Sequence, residues 1–474
     1  MTDRTVRQLD LGTLPLFEDA LERLDRSFAA LPSFTAAVPG AERLGEVLDA
    51  VAERLRDNYP YFHPLYAGQM LKPPHPVARL AYALAMWINP NNHALDGGRA
   101  SSAMEKEAVA ELAGMFGWDE HLGHLCGGGT MANLEALWVA GRLRPGTTVL
   151  ASAQAHYTHA RISAVLGLSF ESVACDRHGR MDLAALERRL AAGGVGTVVA
   201  TLGTTAVGAV DPLVEILALR DAHRDGFRVH ADCAYGGYFR LAANLAPPAR
   251  AAFAALPGVD SIVVDPHKHG LQPYGCGSVL FRDAAVGALY KHDSPYTYFS
   301  SAELHLGEIS LECSRAGASA VGLWATQRLL PLVPLGELAR GLEASRAAAL
   351  ALHRRLASDA RYLAAFPPEL DIVVWVPRAA SAGASSELAR RIFDEAARRD
   401  LHLALAELPA AFFDLAGAGI AADRETLTCL RSVLMKPEHL DWVERIGDLI
   451  DASTDAALKS ADASTDAAQA RSAS

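Results

Sequence analysis

The chain has 474 residues, half of them hydrophobic, and carries 44 Lys and Arg against 55 Asp and Glu, a formal net charge of −11. That length accommodates two or three domains around a large buried core. The acidic balance argues against a nucleic-acid or anionic-membrane surface, which needs clustered Lys and Arg, and no apolar run approaches the roughly 18 residues of a membrane span. The N-terminus, MTDRTVRQLDLG, lacks the charged, apolar and small-residue succession of a secretory signal, so a cytoplasmic protein is expected. Six dispersed cysteines without a CxxC pair fit reduced thiols better than disulfides or zinc. The seventeen histidines include no four-ligand spacing, and no metal is expected.

Residues 1–85 read as an N-terminal helical and extended segment. FEDALERLDRSF and ERLGEVLDAVAERLRDNY place apolar residues at i, i+3 and i+4, which predicts one or two packing helices. In YPYFHPLYAGQMLKPPHP repeated prolines forbid a continuous helix and predict an extended, ordered loop. Residues 86–325 alternate helical patterns with the short β-branched runs TVLAS, SFESVACD, GTVVATLG, FRVHADCA, SIVVDP and CGSVLF. The alternation predicts an α/β domain with a mostly parallel sheet, and ligands then bind at the carboxyl ends of its strands. Residues 326–450 read as a smaller α/β domain. The tail, 451–474, repeats DASTDAA at 451–457 and 462–468 with almost no large apolar anchor, and weak order is expected there.

Four motifs carry chemistry. VVDPHKHG puts Lys268 just after a buried strand, where desolvation favours the neutral amine that a Schiff base requires; alone, it reads more readily as a solvated loop lysine. VHADCAYGGYF ends a strand on Asp232 followed by small residues, so that a carboxylate can approach a planar ring, although an Asp capping the next helix has the same appearance. HLCGGGTMANLEALW sets Gly127, Gly128, Gly129 and Thr130 before a helix, a cradle suited to phosphate or a bare turn. ASAQAHYTHARISA offers His156 as a stacking or proton-transfer imidazole, with His159 competing for the role and a histidine cap as the alternative.

Taken in order, GGGTMANLEALWVA, AHYTHARISA, ATLGTTAVGAVDP, HADCAYGGYF, DPHKHG and CGSVLFRD resemble the group II pyridoxal 5′-phosphate (PLP)-dependent amino-acid decarboxylases over about residues 60–440. The resemblance implies the type I PLP-dependent transferase fold: a large domain whose mostly parallel, seven-stranded-type sheet is flanked by helices, and a small C-terminal α/β domain. It implies that Lys268 carries the cofactor as a Schiff base, Asp232 pairs with the pyridine nitrogen, His156 stacks on the ring and Ala234 supports the opposite face. Thr205 would neighbour the phenolic oxygen. Gly128, Gly129, Thr130 and His267 would hold the phosphate, with Asn133 one turn further on. Arg315 would be structural, Arg431 would meet a substrate carboxylate, and Tyr296 or Tyr298 would protonate the substrate carbon. The chain departs from the family in placing His269 where many members have tryptophan.

The reaction so implied is decarboxylation of an L-amino acid, aromatic before acidic, by a cytoplasmic homodimer with sites at the subunit interface and YFHPLYAGQM reaching across it. Decarboxylation with oxidative deamination, aldol-type cleavage and transamination are alternatives on the same scaffold, and a non-catalytic PLP-fold protein is a further one.

Overall fold

The computed structural model describes residues 9–35, 40–291 and 304–472, with side chains to Lys459. Two amphipathic helices come first, α1 (Leu14–Arg26) and α2 (Ala41–Leu55), and neither buries a residue. Leu44, Val47, Leu48, Val51 and Leu55 form an exposed apolar stripe along α2. The periodicity thus predicts the helices correctly, but among the described residues this stripe has no apolar cover. Helix α3 (Pro76–Met86) starts on a proline, whose missing N–H costs nothing at that position, and the His75 imidazole accepts from the Val77 N–H at 3.2 Å. Helix α4 (Leu95–Phe116) stops at Gly117, φ +90°.

The large domain then alternates strand and helix: β1 (Leu122–Cys126), α5 (Gly129–Leu143), β2 (Thr148–Ser152), α6 (Thr158–Leu166), β3 (Ser169–Val173), α7 (Leu183–Ala191), β4 (Val195–Thr201), α8 (Leu213–Ala222), β5 (Arg228–Asp232), α9 (Pro247–Ala254), β6 (Ser261–Val264) and β7 (Gly277–Phe281). The seven strands lie in the order β1-β7-β6-β5-β4-β2-β3. Strands β6, β5, β4, β2 and β3 are parallel, and β7 runs antiparallel to both its neighbours. No α-helix separates β6 from β7, so that pair lacks the crossover that parallel pairing needs. Every residue of β4, VGTVVAT, is buried, as expected of a central parallel strand covered on both faces.

Helices α10 (Gly317–Leu329) and α11 (Glu337–Ser358) lead to the smaller domain, made of β8 (Tyr362–Ala364), β9 (Ile372–Pro377), α12 (Ala382–Ala397), β10 (Ala404–Pro409), β11 (Thr426–Val433) and α13 (His439–Ser472). Its four strands are antiparallel in the order β10-β11-β9-β8. Trp375, Tyr362, Leu430, Ile446 and Ile450 share its core. The proline-rich loop is docked on this domain of its own chain: Ala67 N–H donates to the His402 carbonyl at 2.9 Å and Val433 N–H donates to the Ala67 carbonyl at 2.8 Å.

The expectation of weak order from Asp451 onward is corrected by the first copy of the repeat. Helix α13 continues through it, Ser453, Thr454 and Ala457 are buried, and Asp451 bridges Arg355 and Arg361 at 2.7 Å each. Small residues replace large apolar anchors there because the helices approach closely and ion pairs hold the rim. No helix among the described residues is long and apolar enough to cross a membrane.

Candidate active site

The carboxyl ends of β4, β5 and β6 and the N-terminus of α5 line a cavity of about 510 Å³. At one end the chain turns from β1 into α5 through Gly127–Thr130. Gly128 has φ +139°, a conformation that favours glycine. A Cβ on Gly129 would stand 2.7 Å from Asp265 Oδ2 and 3.2 Å from the Ala234 Cβ. No side chain caps α5, so the first-turn amides are available to an anion. His267 donates from Nδ1 to the Cys276 carbonyl at 2.8 Å, and its ring lies 4.7 Å from that of Tyr274; burial lowers its pKa.

Asp232, the last residue of β5, is buried at the floor. Its Oδ2 receives His159 Nε2 at 2.9 Å and the Asn133 amide at 3.4 Å, and its Oδ1 receives the Ala234 N–H at 3.1 Å. Behind it, His230 bridges Asn133 Oδ1 and Ser261 Oγ, each at 2.8 Å. Burial alone would push the Asp232 carboxyl up, but the hydrogen bonds from His159 and from the Ala234 amide hold it well below the usual carboxylate range. Burial drives His230 down to about 3, so that ring stays neutral and serves as a hydrogen-bond bridge. Asn133, expected beside the phosphate, lines the cavity but directs its amide to Asp232 and His230.

Lys268 faces the same cavity, with Nζ 3.0 Å from Asp265 Oδ2. His156 is half-buried, its Nδ1 accepts from Thr158 N–H at 3.2 Å, and burial lowers its pKa; the bond engages one ring nitrogen and leaves Nε2 outside it. Thr205 and Ala234 complete the lining together with Tyr235 and Tyr274. The motifs far apart in sequence therefore meet in one place: an anion cradle, a buried ionised carboxylate and an amine.

A model of the pyridoxal-dependent decarboxylase conserved domain matches residues 139–374. A probable L-tyrosine/L-aspartate decarboxylase of Methanothermobacter thermautotrophicus is 30% identical over 275 residues, which cover 55% of this chain and 70% of that protein. The chain belongs to the pyridoxal-dependent decarboxylase family. An L-tyrosine decarboxylase of Enterococcus faecium is 29% identical over 386 residues, and the chain spans 63% of the length of that relative. The fold is shared with Oryza sativa TDC solved with PLP and tryptamine (TM-score 0.72, 18% identity, 95% of this chain and 99% of that one) and with mouse CSAD (TM-score 0.72, 21% identity, 90% and 92%).

The family cofactor, PLP, fits the residues present. The uncapped α5 cradle would suit its phosphate, Asp232 its ring nitrogen and Lys268 its aldehyde. Asp265 Oδ1 and Thr201 Oγ1, buried atoms of residues that line the cavity, lack hydrogen-bond partners among the described residues.

Other residues fall elsewhere. Arg315 is tied to Glu105 at 2.9 Å and to the Leu125 and Asn92 carbonyls, the structural role expected of it. Arg431 is buried on β11 and donates to Gln69 Oε1 at 3.1 Å, while its Nε and Nη2 have no partner among the described residues. Burial lowers its pKa, and Tyr235, Cys429 and Asp371 act on it electrostatically in the opposite sense. Tyr296 and Tyr298 lie outside the described residues. His269 does not line the cavity; it is fully buried between Tyr235 and Phe239, with Nε2 3.3 Å from Asp371 Oδ2. Tyr61, Tyr66 and Tyr59 pack on one another and on His402. Sequence reasoning left Asp265 and Tyr274 without roles and offered His159 only as a competitor to His156. The strand-end position of Asp265 was a signal; His159 and Tyr274 are recognised only through their tertiary contacts.

Proposed function

We propose that the protein decarboxylates an L-amino acid to the primary amine and CO2, with aromatic side chains favoured over acidic ones. The observation that carries this reading is the convergence of Lys268, Asp232, His156 and the α5 cradle on one cavity in a chain of this family. PLP, when bound, supplies an electron sink conjugated to the substrate Cα. The protein's part is then to position and to hold protons. The α5 amides and Thr130 anchor the phosphate end, and Asp232, kept ionised by His159, holds a proton at the ring nitrogen. Lys268 Nζ is the amine that would hold the cofactor's aldehyde carbon. Arg431, expected to meet the substrate carboxylate, is not among the residues that line this cavity.

Lys268 is the sole Lys or Arg among the described residues that line the cavity. An acidic side chain would need a second cation there, whereas Tyr235, Tyr274, Met131 and Leu134 suit an aromatic ring. The named tyrosine decarboxylases among the relatives support the same preference. The PLP-loaded protein, incubated with a pool of L-amino acids and followed by mass spectrometry, is expected to convert tyrosine or another aromatic amino acid into amine and CO2. A 2-oxo acid without CO2 would point to transamination, an aldehyde with ammonia and peroxide to oxidative deamination, and no turnover to a binding protein.

We further propose a cytoplasmic homodimer. The exposed stripe of α2 suits a subunit interface, and the free cysteines, one of them the exposed Cys313, suit a reducing compartment. The mass in solution tests the dimer.

A further inference from the structure

A second cavity, of about 560 Å³, lies apart from the first, between the proline-rich loop, the start of α11 and the turn that follows β11. Its volume is that of a small-molecule site. Phe62, Pro73, Leu271, Leu338 and Leu342 give it apolar walls, and Lys72 and Lys436 supply two ammonium groups. Lys436 is 3% exposed. Its Nζ donates to the Tyr66 carbonyl at 2.6 Å and lies 5.3 Å from the centre of the Tyr66 ring, while Lys72 Nζ donates to the Met435 carbonyl at 3.2 Å. Among the described residues each ammonium has this one hydrogen-bond acceptor, although it carries three donors.

Burying two cations on the wall of one cavity is unfavourable without an anion. Burial, and for Lys436 also the charge of Lys72, push their pKa values down to about 8 and about 7. Glu337 and Glu438 also line the cavity, but with Arg340 the cations outnumber them. The wall of this cavity is strained as well: Leu271 has φ +61°, rare for a leucine, and its carbonyl accepts from His75 N–H at 2.9 Å.

We propose that this cavity is a binding site for a small organic carboxylate with an apolar body. The carboxylate lies between Lys72 and Lys436, and the apolar part lies along Phe62, Leu338 and Leu342. A free inorganic anion would satisfy the lysines but leave the apolar walls wet, and an apolar neutral molecule would leave the cations unpaired. The site does not depend on the reaction run in the first cavity.

Calorimetric titration of the PLP-loaded full chain with sodium hexanoate tests this, with sodium phosphate as the charge-only probe. Saturable hexanoate binding is expected, unchanged in Lys268→Ala and weakened by about tenfold or more in Lys436→Gln, the loss of a charge-assisted hydrogen bond. Ala344→Phe, which fills the cavity and leaves both lysines in place, is expected to weaken it too and decides the matter if Lys436→Gln fails to fold. Absence of saturable binding, binding equal to wild type in Ala344→Phe, binding lost in Lys268→Ala, or phosphate binding as tightly as hexanoate would each overturn the proposal.

Discussion

Asp232 stays ionised in a buried site because the neighbouring donors outweigh its desolvation, and His159 contributes the shortest of the hydrogen bonds to it. Removing that donor with His159→Leu should let the carboxyl rise toward its free value of about 3.9. The acid limb of the kcat profile then moves to higher pH, and kcat falls by about tenfold to a hundredfold, the loss of one charge-assisted hydrogen bond. His159→Gln, which keeps a donor, should recover part of the loss; a pH profile indistinguishable from wild type in the leucine variant would rule out this role. That Lys268, Asp232 and the glycines before α5 share one cavity was legible in sequence because each sits in a local motif whose order could be checked against the others. His159 was not, since nothing in HYTHARIS indicates that its ring crosses from α6 to the end of β5. His269, beside the lysine in sequence, is outside the cavity lining and turns its side chain to Asp371, a direction that one-residue spacing does not reveal.

Among the elements, the start of α5 is the proposed phosphate site. Gly129→Ala would place a methyl group 2.7 Å from a carboxylate oxygen of Asp265, closer than real Cβ contacts come. The cradle must shift, and PLP affinity is expected to fall by about tenfold or more while the far-ultraviolet circular dichroism is unchanged. Equilibrium dialysis of the cofactor measures it. Helix α13 makes a different point. Asp451 accepts from Arg355, Arg361 and the Tyr362 hydroxyl, so Asp451→Ala should lower stability by about 1 kcal/mol, the modest figure reflecting partial solvent exposure; urea denaturation is the check. The strands and crossover helices of the large domain could be read from periodicity, because buried parallel strands are continuous apolar runs. The docking of the DASTDAA repeat could not. Composition registers the lack of large side chains but not the arginines, distant in sequence, that bind its aspartates.

For the molecule as a whole, burial lowers the pKa of many histidines, with His230 and His439 brought down to about 3. A free imidazole takes up its proton near about 6.5. Between that value and about 3 the folded protein keeps these two rings neutral while the unfolded chain binds a proton on each, so stability falls as the pH drops through this window. Each ring contributes at most about 1.4 kcal/mol per pH unit. Urea midpoints at pH 7 and pH 5.5 should therefore differ, the lower pH being less stable; equal midpoints would contradict the neutral assignment. The apolar stripe of α2 yields a prediction at the same scale. Leu48→Glu together with Val51→Glu places charges in the proposed dimer interface and should shift the light-scattering mass from dimer to monomer. If the double variant keeps the dimer mass, α2 is not the interface.

The hydrogen-bonded series from His159 through Asp232 and Asn133 to His230 and Ser261 also offers a spectroscopic handle. The Nε2 proton of His159 is buried, points at an ionised oxygen, and is shielded from exchange with bulk water. It should resonate far downfield in the proton NMR spectrum, apart from the amide envelope. Because the same carboxylate would receive the ring nitrogen of the cofactor, the frequency of that signal should change on PLP loading. Occupancy of the first cavity could then be followed in the intact protein without any turnover.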